Sequence, residues 1–317
     1  MQPMLATAAD TLPTGDGWAF EFKWDGVRAL LEVTDAGARL TSRAGNDVSG
    51  GYPELVAQAA GIGDALLDGE IVAFVDGRPS FGRLQTRMHV RGREVARAAH
   101  DAPVTFVVFD VLRRFGVDLT ARPYAERRET LERFAAENEG WTLSPSFDDG
   151  PATLQVAREH GLEGVVAKRL DSTYRPGARA EAWRKLRFVR AGDFVVIGWE
   201  SSPDHPRTLS SLLLGVALED GRIDFAGKVG SGLTGRSATD LKALLTARDV
   251  AAVDGVPRSI GGRATHWVEP EIVVEVEFAS WTDDRRLRQP VFRGVRHDKQ
   301  PGEAHGEGPV VGLRRRR

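Results

Sequence analysis

The hydrophobic pattern changes character around Arg190-Ala191-Gly192, and that change limits the fold more than any other feature of the chain. Upstream, apolar runs bounded by turn residues are mixed with helix-forming stretches. Downstream, short β segments follow one another with a single helix among them. Strand-rich segments with short turns close into sandwiches or barrels, whereas a mixed segment builds sheets with helices packed on them. The expectation is an α+β protein of two domains, 1–190 and 191–317. The first would hold antiparallel sheets with flanking helices, and the second a small antiparallel β-barrel.

Within the first half, WAFEFKWDG and the residues after it read as a pair of strands over 18–43, closed by the turn SRAGND. YPELVAQAA reads as a helix with Pro53 in its first turn. ALLDGEIVAFVDG, apolar with β-branched residues, reads as a strand pair with an Asp-Gly turn at Asp76-Gly77, and VTFVVFDVL is apolar almost throughout, as a buried strand is. YAERRETLERFAAENEG, ending at Gly140, and PATLQVAREHG, ending at Gly161, are the next two helices. GVVAKRL and AWRKLRFV follow as strands. In the second half DFVVIGWE, SLLLGVALE, RIDFAGKVG and PEIVVEVEFASW are strands, and TDLKALLTARDV is the helix. EIVVEVEF alternates acid and apolar residues, the mark of a strand with one wet face.

Several function classes drop out. There is no cysteine, hence no disulfide and no thiolate zinc site. No apolar run approaches the length of a membrane span, and the N-terminus lacks the features of a signal peptide, so the expected location is cytoplasmic. Neither a P-loop nor HExxH occurs. A GxGxxG match at Gly230–Gly235 lies in the β-rich half without a surrounding βαβ unit, and reads as a glycine-rich connection. The net charge of −2 conceals strongly basic segments. Val165–Arg190 carries eight basic residues against two acids, and Arg285 to the end carries ten against three, including the tail Arg314–Arg317. Clustered cations of this kind suit a polyanion, although a charge run alone is most often a solvated surface.

The sharpest local signal is Glu21-Phe-Lys23-Trp-Asp25-Gly26-Val-Arg28. A lysine amine is a nucleophile only when neutral, and desolvation or a neighbouring cation such as Arg28 favours that form. Standing alone, Lys23 would be an ordinary surface lysine on a strand. It is followed in order by Ser42-Arg43-Ala-Gly45, Asp68-Gly69-Glu70, Val108-Phe109-Asp110, Glu163-Gly164-Val-Val-Ala-Lys168, Trp183-Arg-Lys185-Leu-Arg187 and Arg296-His-Asp298-Lys299. This series resembles the motifs of the covalent nucleotidyltransferases, which include DNA ligases, RNA ligases and mRNA capping enzymes. GLEGVVAKRLDSTYRPG, GRPSFGRLQTRM, GKVGSGLTG and LRQPVFRGVRHDK are similar, more narrowly, to bacterial ATP-dependent DNA ligases of the nonhomologous end-joining type. The likeness covers nearly the whole chain. One position departs from it: the last motif-V lysine is replaced by Arg187, a planar, permanently charged fork.

The resemblance implies an N-terminal adenylation domain followed by a C-terminal OB-fold domain, with ATP as AMP donor and Mg²⁺ or Mn²⁺ as metal. It implies Lys23 as the nucleophile that becomes lysyl-AMP. Glu21 would accept the adenine amino group and Phe109 would stack on the base, although core packing is the ordinary role of a Phe in such a run. Arg28 and Arg43 would contact phosphate or ribose. Glu70 would hold the ribose or a metal water, and Glu163 would join it as metal ligand. Lys168, Lys185 and Arg187 would take the α-phosphate, and Arg296 and Lys299 the pyrophosphate. Nicked or broken duplex DNA is the implied partner, the end-binding protein Ku a further one, and the protein would act as a monomer. No polymerase, nuclease or N-terminal DNA-binding module accompanies these motifs, so the sequence reads as a stand-alone minimal ligase or as the ligase piece of a larger chain. An RNA ligase, a capping guanylyltransferase and a non-catalytic nucleic-acid-binding module are the competing readings. An NAD⁺-dependent ligase is disfavoured by the lack of cysteine.

Overall fold

The computed structural model describes residues 1–136, 141–202, 205–251, 253, 256–257, 260–262, 264–282 and 284–306, and the backbone of 310–312. The expected helix end at Gly140 and the basic tail Arg314–Arg317 lie outside the described residues. The chain forms two compact units that join at Arg187/Phe188.

In the first unit the strands are β1 (Leu5–Ala8), β2 (Trp18–Lys23), β3 (Val27–Thr34), β4 (Gly37–Ser42), β5 (Ala65–Val75), β6 (Arg78–Pro79), β7 (Val104–Arg114), β8 (Val117–Asp118), β9 (Thr142–Leu143), β10 (Ser146–Phe147), β11 (Gly164–Arg169) and the start of β12 (Arg179–Ser202). The helices are α1 (Pro53–Gln58), α2 (Phe81–Gln85), α3 (Glu94–Asp101), α4 (Tyr124–Ala136) and α5 (Gly150–Glu159). One sheet runs β10-β2-β11-β12, with β1 parallel to β12. The other runs β4-β3-β5-β7-β8, with β6 and β9 at its margins. Successive strand residues point to opposite faces. One face of the second sheet therefore sends Ala29, Leu31, Leu67, Phe106 and Val108 into a core closed by Leu55, Leu131 and Trp141. Its other face carries Arg28, Leu30, Asp68 and Glu70. A smaller core of Met4, Leu30, Leu66, Phe109, Leu112, Tyr174 and Trp183 lies on that second side.

The pair of strands expected over 18–43 is three. β2 bonds to β10 and β11, while β3 bonds to β4 and β5, so the chain changes sheets at Trp24-Asp25-Gly26. Periodicity carries no information about which sheet a strand joins, and so merged the two.

The second unit contains the rest of β12, then β13 (His205–Ala217), β14 (Ile223–Val229), α6 (Gly235–Leu244), β15 (Ala247–Arg248), β16 (Thr265–Val268), β17 (Val273–Phe278), β18 (Ser280–Trp281), β19 (Leu287–Arg288), β20 (Val291–Val295) and β21 (Val310–Gly312). The main strands pair antiparallel around a core of Phe194, Val196, Leu212, Leu214, Val274, Val276 and Phe278. AWRKLRFV and DFVVIGWE, expected as separate strands, are one extended segment, since β12 pairs with β11 up to Arg187 and with β17 from Arg190 onward. The expected helix starts earlier, at Gly235, because Thr234 and Ser237 form a reciprocal capping box ahead of it.

Candidate active site

Residues opposite one another in an antiparallel ladder share a face. Along β2, β11 and β12 this produces three rungs. Lys23 faces Gly164, which faces Arg187; Glu21 faces Val166, which faces Lys185; Ala19 faces Lys168, which faces Trp183. Residues distant in sequence thus converge on one surface. Two motif glycines are fixed by close approach. A Cβ on Gly164 would lie 2.0 Å from the Leu186 carbonyl oxygen, and one on Gly26 would lie 2.2 Å from that of Ile71.

At the Lys23 end, the Glu163 carboxylate accepts from Lys23 Nζ at 2.5 Å through Oε2 and meets Arg187 Nε at 2.9 Å through Oε1. The Lys185 ammonium stands beside them with no hydrogen bond or ion pair to a described residue. Its ammonium is pushed down to about 8, by burial first and then by repulsion from Arg187, Lys23 and Arg179, with Glu163 opposing. From the second sheet comes Glu70, opposite Arg28 and likewise without a hydrogen-bond partner among the described residues. Burial pushes its carboxyl up to about 7, against the pull of Lys23 and Arg28. Two carboxylates, Glu70 and Glu163, therefore feel each other within a site rich in cations. A hard divalent cation that keeps several waters and borrows substrate phosphates needs only one or two protein carboxylates, so this donor set fits Mg²⁺ or Mn²⁺. Among the described residues no cluster of three or more acids or histidines forms a closed cage.

At the opposite end the polar groups are sealed. Glu21 is 2% exposed, and its Oε1 accepts from Lys168 Nζ at 2.6 Å and from the Tyr124 hydroxyl. Lys168 also donates to the Phe109 carbonyl at 2.9 Å and lies over the rings of Phe109, Tyr124 and Trp183, each within 5 Å. Lys168, expected at the α-phosphate, is placed here with its ammonium bonded to Glu21 and a carbonyl, the residue being only 1% exposed. Alternation along β11 does place it on the same face as Val166, but two residues beyond it, in the interior.

Phe109 is nearly buried, with the Arg28 guanidinium 4.9 Å from its ring centroid. It has no partner on β5, because the register steps from Gly69↔Val108 to Asp68↔Asp110; such a bulge re-aims one side chain. Arg28 itself bonds Asp68 twice, at 2.8 and 2.6 Å. Arg43 lies exposed in the turn after β4 and makes no hydrogen bond or ion pair with the Lys23 group. Arg296 and Lys299 belong to the second unit, where Asp193 holds both, at 2.8 and 3.7 Å, and Asp298 takes Arg296 through two more bonds. Residues without a motif also prove central: Tyr124, Tyr174, and Arg127, whose guanidinium clamps Asp110 inside the protein. Only the structure brings these to the site, since nothing in YAERR or STYRPG signals a long-range contact.

The family described as ATP dependent DNA ligase domain matches residues 3–187, and its ATP dependent DNA ligase C terminal region matches 205–299. The chain belongs to the ATP-dependent DNA ligases. This ligase is 37% identical over 310 residues to the multifunctional non-homologous end joining DNA repair protein LigD of Mycobacterium tuberculosis, covering 96% of the present chain and 39% of the relative. It is 32% identical to DNA ligase C2 of Mycolicibacterium smegmatis, covering 92% of one and 93% of the other. Among solved structures, mycobacterial DNA ligase D complexed with ATP and MES is 36% identical over 96% of this ligase and 98% of that chain, with a TM-score of 0.56. The chain thus spans about two fifths of the LigD relatives it matches. Its two units are the adenylation domain and the OB-fold domain of the ligase family, and ATP is the AMP donor of that family.

Proposed function

We propose that this chain seals 5′-phosphate/3′-hydroxyl nicks or breaks in duplex DNA through a lysyl-AMP intermediate on Lys23, as part of double-strand-break repair by end joining. The observation that carries this reading is the grouping of Lys23, Glu163, Arg187, Lys185 and Glu70 in one cluster, in which the side chains of Lys185 and Glu70 have no hydrogen-bond partner among the described residues. In the first step the neutral Lys23 nitrogen forms a bond to the α-phosphorus of ATP as the α–β bridging P–O bond breaks. Pyrophosphate leaves with that electron pair, and the nitrogen loses its remaining ammonium proton to give a phosphoramidate. In the second, an oxygen of the DNA 5′-phosphate takes the AMP and Lys23 recovers a proton. In the third, the 3′-hydroxyl oxygen attacks the activated phosphorus and AMP departs.

Each step is an in-line displacement, so the protein mainly positions groups and neutralises charge. Lys185 and Arg187 serve the α-phosphate, and Arg28 and Arg43 ribose or phosphate oxygens. Phe109 serves the adenine together with Glu21, the latter through the carboxylate oxygen that Lys168 and Tyr124 do not hold. Arg296 and Lys299 serve the pyrophosphate. Glu70 and Glu163 would hold Mg²⁺ or Mn²⁺, which supplies charge neutralisation at the phosphates when bound. In this reading the chain works as a monomer inside the cell, with Ku bringing it to broken ends. No helix among the described residues is long and apolar enough to cross a membrane.

The test is intact mass after incubation with ATP and Mg²⁺, using protein first freed of AMP. One added AMP, removed by pyrophosphate and absent from Lys23→Ala, is the expected outcome. An unmodified mass in the parent protein would sink the catalytic reading and leave a nucleic-acid-binding module in its place.

A further inference from the structure

Arg28 is held by a set of contacts to which no motif assigns a purpose. Its Nε and Nη2 bond the two oxygens of Asp68, and Nη2 bonds the Met4 carbonyl as well, at 2.9 Å. Asp68 is fully buried, and its Oδ2 also accepts from the Tyr174 hydroxyl at 2.6 Å. That hydroxyl in turn accepts from the Met4 amide at 2.9 Å, closing a ring of four residues. The N-terminal segment is itself fastened. Gly177 N donates to Gln2 O, Leu5 N to Ala178 O, and Arg175 N to Met4 Sδ, while the Met4 side chain is wholly buried.

The arithmetic of the guanidinium gives this ring its meaning. An arginine has five N–H groups in a rigid fork. Asp68 and Met4 occupy Nε and Nη2, and Nη1 has no partner among the described residues. The rings of Phe109 and Trp183, packed edge to face with each other, lie 4.9 and 5.6 Å from its carbon. Arg28 is therefore held through two of its three nitrogens, and it offers the third to a ligand. A donor fixed before binding loses no rotamer entropy when it engages.

We infer that Asp68, Tyr174 and the backbone of Met4 are positioning residues that aim Arg28 at the bound nucleotide, so that the N-terminal segment before β2 is part of the adenylation machinery. The inference rests on the proposed lysyl-AMP chemistry and adds to it the set of residues that orients one of its donors. It also explains why Asp68 is an acid: a carboxylate accepts both bonds from one edge of a guanidinium and a third from a phenol at once.

The experiment is a double-mutant cycle on lysyl-AMP formation in the full chain, with ATP varied, comparing Tyr174→Phe, Arg28→Lys and the double variant. Tyr174→Phe removes the hydroxyl from both Asp68 and Met4 and keeps the ring. It should raise the KM for ATP about five- to tenfold, the loss expected for one ordinary intramolecular hydrogen bond, with kcat changed less than twofold. In the Arg28→Lys background, where the flat fork is already gone, the same change should cost less than twofold. Equal costs in both backgrounds would overturn the inference, because a purely structural tyrosine acts independently of Arg28. Should Tyr174→Phe fail to fold, Asp68→Asn run through the same cycle decides by the same criterion. Absence of lysyl-AMP in the parent protein would instead remove the proposed function on which the inference stands.

Discussion

The two ends of one sheet face solve opposite problems with the same residue types. Around Glu21 the acid, the lysine and the phenol are buried and mutually satisfied. Two residues along β2, around Lys23, there are more cations than partners: Glu163 is shared by Lys23 and Arg187, and the Lys185 ammonium has no hydrogen bond or ion pair to a described residue. Buried ionic groups that are fully paired define geometry, whereas leftover charge costs stability and persists where a ligand is to supply the missing partner. The comparison teaches that two lysines of one face, on neighbouring strands and one rung apart, differ in whether the protein itself supplies their counter-charge.

The largest effect tests the sealed end. Lys168→Met removes a cation of similar length and leaves the Glu21 carboxylate buried without its main partner. Breaking a buried pair from one side costs about 3–5 kcal/mol. The expected result is a clear fall in the thermal midpoint measured by differential scanning calorimetry. A midpoint within a degree of the parent would mean that water reaches Glu21, and the contrast between the two ends would fail.

The second test goes to the open end and expects the reverse sign. Lys185 has its folded-state pKa depressed to about 8. A depressed group favours folding above its unfolded value, near 10.4, and that contribution is lost as pH falls through about 8. At pH 7 the charged amine therefore works against the fold. Lys185→Met should raise the thermal midpoint by a few degrees at pH 7 while lowering the rate of lysyl-AMP formation at least a hundredfold, on the order of the loss of one transition-state donor. A variant that is both less active and less stable would place Lys185 with Lys168 as an architectural residue.

Much of this contrast was legible in the sequence and part of it was not. The order of the motifs from Lys23 to Lys299 points to the ligase family that the comparisons show, and alternation along WRKLR puts Lys185 and Arg187 on one side, where the ladder has them. Strand exchange at Gly26 was hidden because both sheets share a period of two. Lys168 and Lys185 look alike in sequence because each is a lysine in a basic, strand-forming stretch. Their difference comes from α4, which delivers Tyr124 to Glu21 across 103 positions of sequence, and from the bulge that brings the Phe109 carbonyl to Lys168. Neither has a local signature, since long-range delivery depends on the assembled core.

The smallest effect concerns Glu70, the unpartnered acid facing Lys23, Arg28, Glu163 and Asp68. Its folded-state pKa is raised to about 7 from an unfolded value of 4.5. A raised group contributes stability that is fully present below its unfolded pKa and lost as pH rises through the folded one. Glu70→Gln carries no proton to lose, so its stability relative to the parent should improve as pH climbs from about 5 to about 7 and level off above about 7. Thermal midpoints of the two proteins collected across that range give the difference directly. A difference that stays flat would mean that Lys23 and Arg28 already compensate the Glu70 charge. The open end would then hold its excess in Lys185 alone.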